Sequence, residues 1–241
     1  MNNEQMNGVM NTISENDARP EADDLVLRID GTKPLSDDIL AAVTAICDRT
    51  EDGGGRGHVT VHVSGAPAAP WTDALTLARV NKWERALRRL ERLPAATLAV
   101  ADGECGGLAL DALLATDYRI ATGSVRLTMP TADGTLWPGM ALYRLANHSA
   151  STAAIRRALL FGVPIEATEA LGLHLIDEVS DDVAGSLARI TGRTTGLAGS
   201  DLAIRRQLMF DAANTGFEEA LGSHLAACDL TLRRSAKEVA A

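Results

Sequence analysis

Short apolar runs alternate with longer helical patterns over the first half of the chain. "DLVLRI" (24–29), "HVTVHV" (58–63) and "ATLAVA" (96–101) read as strands, because brief β-branched and apolar runs bounded by turn signals suit a buried sheet. Between the first two lies "LSDDILAAVTAICDRTED", an amphipathic helix with Ser36 as its N-cap. "DGGGRG" (52–57) is a loop. A long helix is expected from Trp71 to Leu93, where "WERALRRLERL" offers one apolar and one basic face, and Pro94 stops it. Beyond 101 the pattern gives a turn, a helix near 107–115, a strand through "YRIA" and a short strand-like "VRLTM" (125–129). Residues 130–139 are a loop punctuated by Pro and Gly, and nearly everything after Gly139 reads as helix. Alternation followed by a helical half predicts an α/β fold, a parallel sheet packed with helices. Residues 1–22 are polar and Asn-rich, and a disordered leader is expected there.

Composition narrows the function classes. With 241 residues, 46% of them apolar, the chain is long enough to bury a substantial core. The formal charge of −9 leaves no domain-wide basic excess to meet nucleic-acid phosphates. No apolar run is long enough to cross a bilayer, and the N-terminal stretch has neither the basic start nor the apolar core of a secretory signal. Cys47, Cys105 and Cys228 are odd in number and widely spaced, so neither a disulfide framework nor a metal finger is expected, and a reducing cytoplasm fits. His58 and His62 lie about 13 Å apart by strand rise, too far to share a metal.

The chemistry concentrates in "DGECGGLALDALLATDYRIA" (102–121). A helix starting near Gly107 leaves its first amides without internal partners, with the positive end of the helix dipole beside them. Gly106 and Gly107 let the backbone take φ > 0 and let a ligand come close. Such a turn offers donors to an oxyanion. Asp111 lies one turn on, aligned with Gly107 by i,i+4 geometry, so an inward carboxylate there can serve as a base. The plainer alternative is a tight strand-to-helix turn followed by a favourable first-turn acid. Neither G-x-G-x-x-G nor a phosphate loop is present.

Three blocks, "ADGECGGLALDALLATDYRIA", "LTMPTADGTLWPGMALYRL" and "LFGVPIEATEALGLHLIDEV", follow in order over residues 96–180. Together they resemble the crotonase (enoyl-CoA hydratase/isomerase) superfamily. More narrowly, the chain is similar to the DpgB-type members that assist a type III polyketide synthase in making dihydroxyphenylacetyl-CoA. The resemblance implies a crotonase-like spiral of ββα units over 23–180, carrying the acyl-CoA site. A helical trimerisation region is implied over 181–241, with a homotrimer or hexamer. It implies an acyl-CoA thioester as substrate, no cofactor beyond that CoA and no metal. The thioester oxygen is expected between two backbone amides, one at Leu108 and one at Trp71 or Thr72, since Pro67 and Pro70 lack an N–H. Asp111 stands where hydratases carry a glutamate, one methylene shorter. The second hydratase glutamate is replaced by Thr131 after Pro130, with Asp133 as a substitute two residues on. Gly106, Gly107, Trp137 and Gly139 are expected at the substrate.

Trp71 and Trp137 fall in loops that the resemblance puts at the acyl pocket, where an aromatic polyketide packs well against indoles; core packing is the alternative. Trp83, inside a helix, reads as core. Cys105 reads as a small buried residue. The basic clusters at 85–92, Arg156-Arg157, Arg205-Arg206 and Arg233-Arg234 read mainly as solvated helix faces or ion pairs, and CoA phosphates are the other partner for them. The chain stops soon after its last helix, so an incomplete cover over the pocket is expected. The function expected is a dehydratase or isomerase for a polyketide-derived acyl-CoA. A non-catalytic partner of the synthase and a general enoyl-CoA hydratase are the alternatives.

Overall fold

The computed structural model describes residues 25–73, 75–132, 135–194 and 199–239; the expected leader, residues 1–22, lies outside them. In chain order the elements are β1 (Leu25–Asp30), α1 (Asp37–Asp52), β2 (His58–Gly65), α2 (Leu77–Leu90), β3 (Ala96–Gly106), α3 (Leu108–Leu114), β4 (Tyr118–Ala121), β5 (Arg126–Thr128), β6 (Thr131–Ala132) and β7 (Thr135–Leu136). There follow α4 (Met140–His148), α5 (Thr152–Phe161), β8 (Ile165–Glu166), α6 (Ala167–Gly172), β9 (Glu178–Val179), α7 (Val183–Thr194), α8 (Ser200–Ala212) and α9 (Phe217–Val239).

Strands β1, β2, β3, β4 and β9 lie side by side in that order, all parallel. β3 pairs with β4 through Leu98–Ala101 and then, nearer its end, with β5 through Glu104–Gly106. Between these stretches β3 advances from Asp102 to Cys105 while β2 advances only from Ser64 to Gly65. Gly103, at φ 62°, sits in that bulge, and its N–H donates to Ser124 Oγ at 3.1 Å. A strand that serves two neighbours in succession turns the sheet, and β8 extends the turn by pairing antiparallel with β5. This mixed α/β architecture is the spiral of sheet and helix expected from the sequence.

The helix at α1 forms as its pattern predicts: Ser36 Oγ accepts from the Ile39 N–H, and Leu40, Val43, Ile46 and Cys47 are buried on one face. The expected 71–93 helix is shorter. It begins at Leu77, where Thr76 caps it by accepting from the Arg79 N–H at 3.2 Å. The segment before it is drawn away, with the Trp71 indole N–H donating to the Thr131 carbonyl at 2.7 Å. Residues 130–139 are not loop throughout, since β6 and β7 pair antiparallel there. Nor is the second half purely helical, because β8 and β9 join the sheet. Two-residue strands are too short to leave a period in the sequence.

Two devices hold this frame. Gly31 follows β1, and a Cβ on it would lie 2.2 Å from the Gly65 carbonyl oxygen and 2.8 Å from that of Gly106. The ends of β1, β2 and β3 thus converge more closely than any side chain allows. On the other side, Arg206 of α8 is buried and forks onto Asp117, donating from Nε to Oδ1 at 3.1 Å, and onto the carbonyls of Leu93 and Ala95, the latter at 3.1 Å. It anchors the C-terminal helices to the start of β3. α9 touches α8 and otherwise leaves Leu225, Leu230 and Leu232 exposed. Among the described residues no helix is long and apolar enough to cross a membrane.

Replacing Gly31 by alanine is expected to cost about 1–3 kcal/mol, because the added methyl meets unyielding backbone. Gly123, which has open space around its Cβ position, is the control, with a change within about 0.5 kcal/mol. Arg206→Met leaves the Leu93 and Ala95 carbonyls without their donor and takes the cation from exposed Asp117, which keeps its bonds from Thr97, and a loss of about 1–3 kcal/mol is expected. Urea denaturation of the purified variants checks all three.

Candidate active site

A cavity of about 330 Å³ opens where the parallel strands end, the usual place for a site in such sheets. The turn after β1 supplies Gly31 to Leu35, and the segment after β2 supplies Pro67, Ala68, Pro70, Trp71 and Asp73. Gly107, Leu108 and Asp111 enter from α3, and Val80, Trp83 and Glu84 from α2. Met129 and Pro130 follow β5, and Trp137, Ala141 and Leu142 complete the wall around the start of α4.

Gly107 has φ 52° and ψ −123°, a conformation that only glycine adopts without strain. A Cβ there would also press on the Pro67 ring at 3.0 Å. The turn throws the chain directly into α3, whose first closed hydrogen bond runs from the Asp111 N–H to the Gly107 carbonyl at 2.9 Å. The Leu108 amide comes before any such closure, and among the described residues it has no acceptor. α3 has only seven residues, so individual amides rather than a long dipole give this end its donor character.

Asp111 faces the cavity from the opposite side of the same turn. Its Oδ2 accepts from the Trp83 indole N–H at 3.1 Å. The residue is half-buried and lines the cavity. Burial, with Glu84 next in effect, pushes its pKa up to about 7, against the smaller opposing pulls of the Trp83 N–H and Arg144. Glu84 is also raised by burial, an effect that Arg144 opposes. Arg144, on α4, is buried and donates to Glu84 at 2.9 Å and to Glu91 at 2.7 Å. Glu91 in turn holds Arg88 at 2.8 Å.

The site therefore gathers some residues expected from the sequence and omits others. Asp111, Leu108, Gly107, Trp71 and Trp137 all line the cavity. The two indoles meet edge to face, with centroids 5.2 Å apart and planes at 75°. Thr72 is not part of the lining; its carbonyl accepts from the Leu75 N–H. Ala68, passed over in the sequence, lines the wall beside Pro67 and brings an amide there. Thr131 is exposed and outside the lining, and its contact with the site is the carbonyl that takes the Trp71 N–H. Asp133 lies outside the described residues. Gly106 sits behind the wall, where a Cβ would come within 2.5 Å of Thr128 Oγ1. Gly139 precedes α4, and a Cβ there would lie 2.7 Å from the Trp137 indole nitrogen. Trp83 is core, as expected, and in addition it orients the acid. Burial pushes the Cys105 thiol up to about 12, away from nucleophilic use. Among the described residues no cluster of His, Cys, Asp and Glu could hold a metal.

Glu84 and Arg144 escaped the sequence reading. Glu84 hides in the charged run "WERALRRLER", yet it lies four residues after Val80 and shares that apolar edge. Arg144 lies between Ala141 and Leu145 on the buried face of α4. A cation on an apolar stripe demands buried acids, and that was the available signal.

No family model matches the sequence. An enoyl-CoA hydratase of Amycolatopsis orientalis is 54% identical over 213 residues, which are 88% of this chain and 98% of the relative. An enoyl-CoA hydratase/isomerase structure from Marinobacter aquaeolei superposes with TM-score 0.74 at 16% identity, covering 86% of this chain and 87% of the other. An enoyl-CoA hydratase structure from Mycobacterium smegmatis gives 0.75 at 16% identity and 86% of each chain. Those structures share the fold, and the Amycolatopsis relative carries the kinship into sequence: the chain belongs to the crotonase (enoyl-CoA hydratase/isomerase) superfamily.

Proposed function

We propose that the protein is a dehydratase or isomerase for a polyketide-derived acyl-CoA thioester and that it assists a type III polyketide synthase in forming dihydroxyphenylacetyl-CoA. One observation carries the reading: the open Leu108 amide and the Asp111 carboxyl face the same cavity. A thioester oxygen placed at that amide gains negative charge as a neighbouring C–H loses its proton, and a fixed donor stabilises that charge without reorganising. Trp71 or Ala68 supplies the second amide. Asp111, with its pKa near 7, moves a proton at the carbon α to the thioester or at the departing hydroxyl, since a group poised near neutrality both takes and gives one.

A volume of about 330 Å³ is at the lower end for ligand pockets, which run from roughly 300 to 1,000 Å³. It suits an acyl end, with the CoA arm leaving through the mouth. The perpendicular indoles of Trp71 and Trp137 favour a flat ring over a flexible chain. No group beyond the CoA of the substrate is required. The exposed leucines of α9 support a homotrimer or hexamer as the working form. The second reading, a general enoyl-CoA hydratase, is favoured by the name of the Amycolatopsis relative.

Asp111→Asn keeps the shape and removes the proton carrier. Product formation assisted by the variant, assayed with the synthase, is expected to fall by about 100-fold or more. Unchanged assistance would mean a non-catalytic partner, and turnover of simple enoyl-CoA chains by the wild type alone would mean a general hydratase. The same variant should be more stable than the wild type. The Asp111 pKa is raised from 3.8 to about 7, so the unfolded chain ionises first and the wild type loses stability as pH climbs through that window. At pH 8 the variant is expected to be ahead by on the order of 2–4 kcal/mol. At pH 4 the two should match, as read from urea denaturation at both values.

A further inference from the structure

The cavity presents two carboxyls from different helices, and only one has a role so far. Asp111 comes from α3 and Glu84 from α2, and both side chains line the wall. They are tied together through neighbours: Trp83, adjacent to Glu84 in the chain, donates to Asp111 at 3.1 Å, and Arg144 grips Glu84 at 2.9 Å while also acting on Asp111. We propose that Glu84 is the second proton-handling group of this site, held ionised by Arg144 so that it takes the proton next to the thioester while Asp111 delivers one to the departing hydroxyl. This inference rests on the proton-transfer reading above and adds to it a second named group.

Charge balance around the pair supports the assignment. Asp111, Glu84 and Glu91 are three acids, and the cations that meet them are Arg144 and Arg88. His148, at the end of α4, sees Arg144, Glu91, Arg119 and Asp177, and burial lowers its pKa, so it stays neutral near pH 7. Lys33 and Asp73 stand on the cavity wall. The inner cluster is thus one positive charge short, and one proton makes up the deficit. It settles on Asp111, because Glu84 has the arginine. Two like charges sharing a site keep one proton between them in this way.

The step balances. Glu84 takes the α-proton, the C–H electron pair becomes the new C=C bond, and the C–O bond breaks. The oxygen accepts the proton from Asp111 and leaves as water. The proton on Glu84 then passes to Asp111 and restores the pair. Addition of water runs the same steps backwards, so either direction needs the singly protonated pair.

The experiment pairs product formation, assayed with the synthase, with carbon-13 titration of the side-chain carboxyls in the full-length protein. For the wild type, turnover is expected to fall as pH rises through about 7, following the Asp111 midpoint. In Glu84→Gln, turnover should drop about 100-fold or more, and the Asp111 midpoint should move down by about one unit or more as the neighbouring negative charge disappears. Glu84→Asp keeps the charge but loses reach, so it should leave the Asp111 midpoint near 7 and still lose about 10-fold in kcat; this variant also decides the matter if Glu84→Gln does not fold. An Asp111 midpoint unmoved in Glu84→Gln, or wild-type turnover in either variant, overturns the proposal. If wild-type protein adds nothing to product formation by the synthase, the enzymatic reading of the previous section has failed. The titration still rules on the pair: a moved midpoint supports it, and an unmoved one overturns it.

Discussion

A half-buried ionisable carboxyl, on the same cavity as an amide with no partner among the described residues, sets the terms for the rest of this molecule. Both groups are unfavourable in a folded protein taken alone. They persist because the surrounding frame leaves them no alternative. Gly107 takes a backbone conformation that aims α3 at the cavity, the Gly31–Gly65–Gly106 convergence closes the sheet behind it, and the Trp83 indole fixes the direction of the acid. The frame is stiff where these meet and the deep core is fully packed, with Leu110, Leu113 and Leu127 excluded from solvent. Such packing does not deform continuously, so α3 and the acid it carries stay fixed at the cavity wall.

The Glu84–Arg144–Glu91 chain is best understood as part of that constraint. A buried arginine between two acids contributes little net stability, because desolvation offsets much of the attraction. Its value is positional. It ties α4 to both the middle and the end of α2, and both helices contribute to the cavity wall. The contrast with Arg206 is instructive: that guanidinium adds the Leu93 and Ala95 carbonyls to its acid, and it does not line the cavity. Both are buried arginines meeting acids, yet only Arg144 has a partner, Glu84, on the cavity wall.

Much of the frame was legible in the sequence. The first three strands, the Ser36 cap and the 108–114 helix follow from local patterns of period two and 3.6, and the glycine pair announced a turn that other residues resist. The acid at 111 was legible too, because i,i+4 alignment places it under the turn. What the sequence hid depends on long-range contact. Glu84 looks like one more charge on a solvated helix face until Arg144, sixty residues away, is folded against it. The Trp71 segment breaks from the expected helix because its indole finds the Thr131 carbonyl across the cavity, and no local propensity encodes that bond. The two-residue strands β8 and β9 are set by pairing alone, and the proline-rich segment did not reveal that Ala68 rather than Thr72 would reach the wall.

The length of the acid at 111 makes sense in this setting. The aspartyl side chain is one methylene shorter than a glutamyl one, so its oxygen stays close to the start of α3 and within reach of the indole N–H. Glu84 already acts on this carboxyl as a like charge, and a longer acid at 111 would lose the short reach that keeps it at the Trp83 indole. The short acid stands on α3 and the long one on α2, and both line the same cavity. Reach lost at one position is supplied from the other, so the geometry of two helices takes over what a single longer side chain would otherwise have to do.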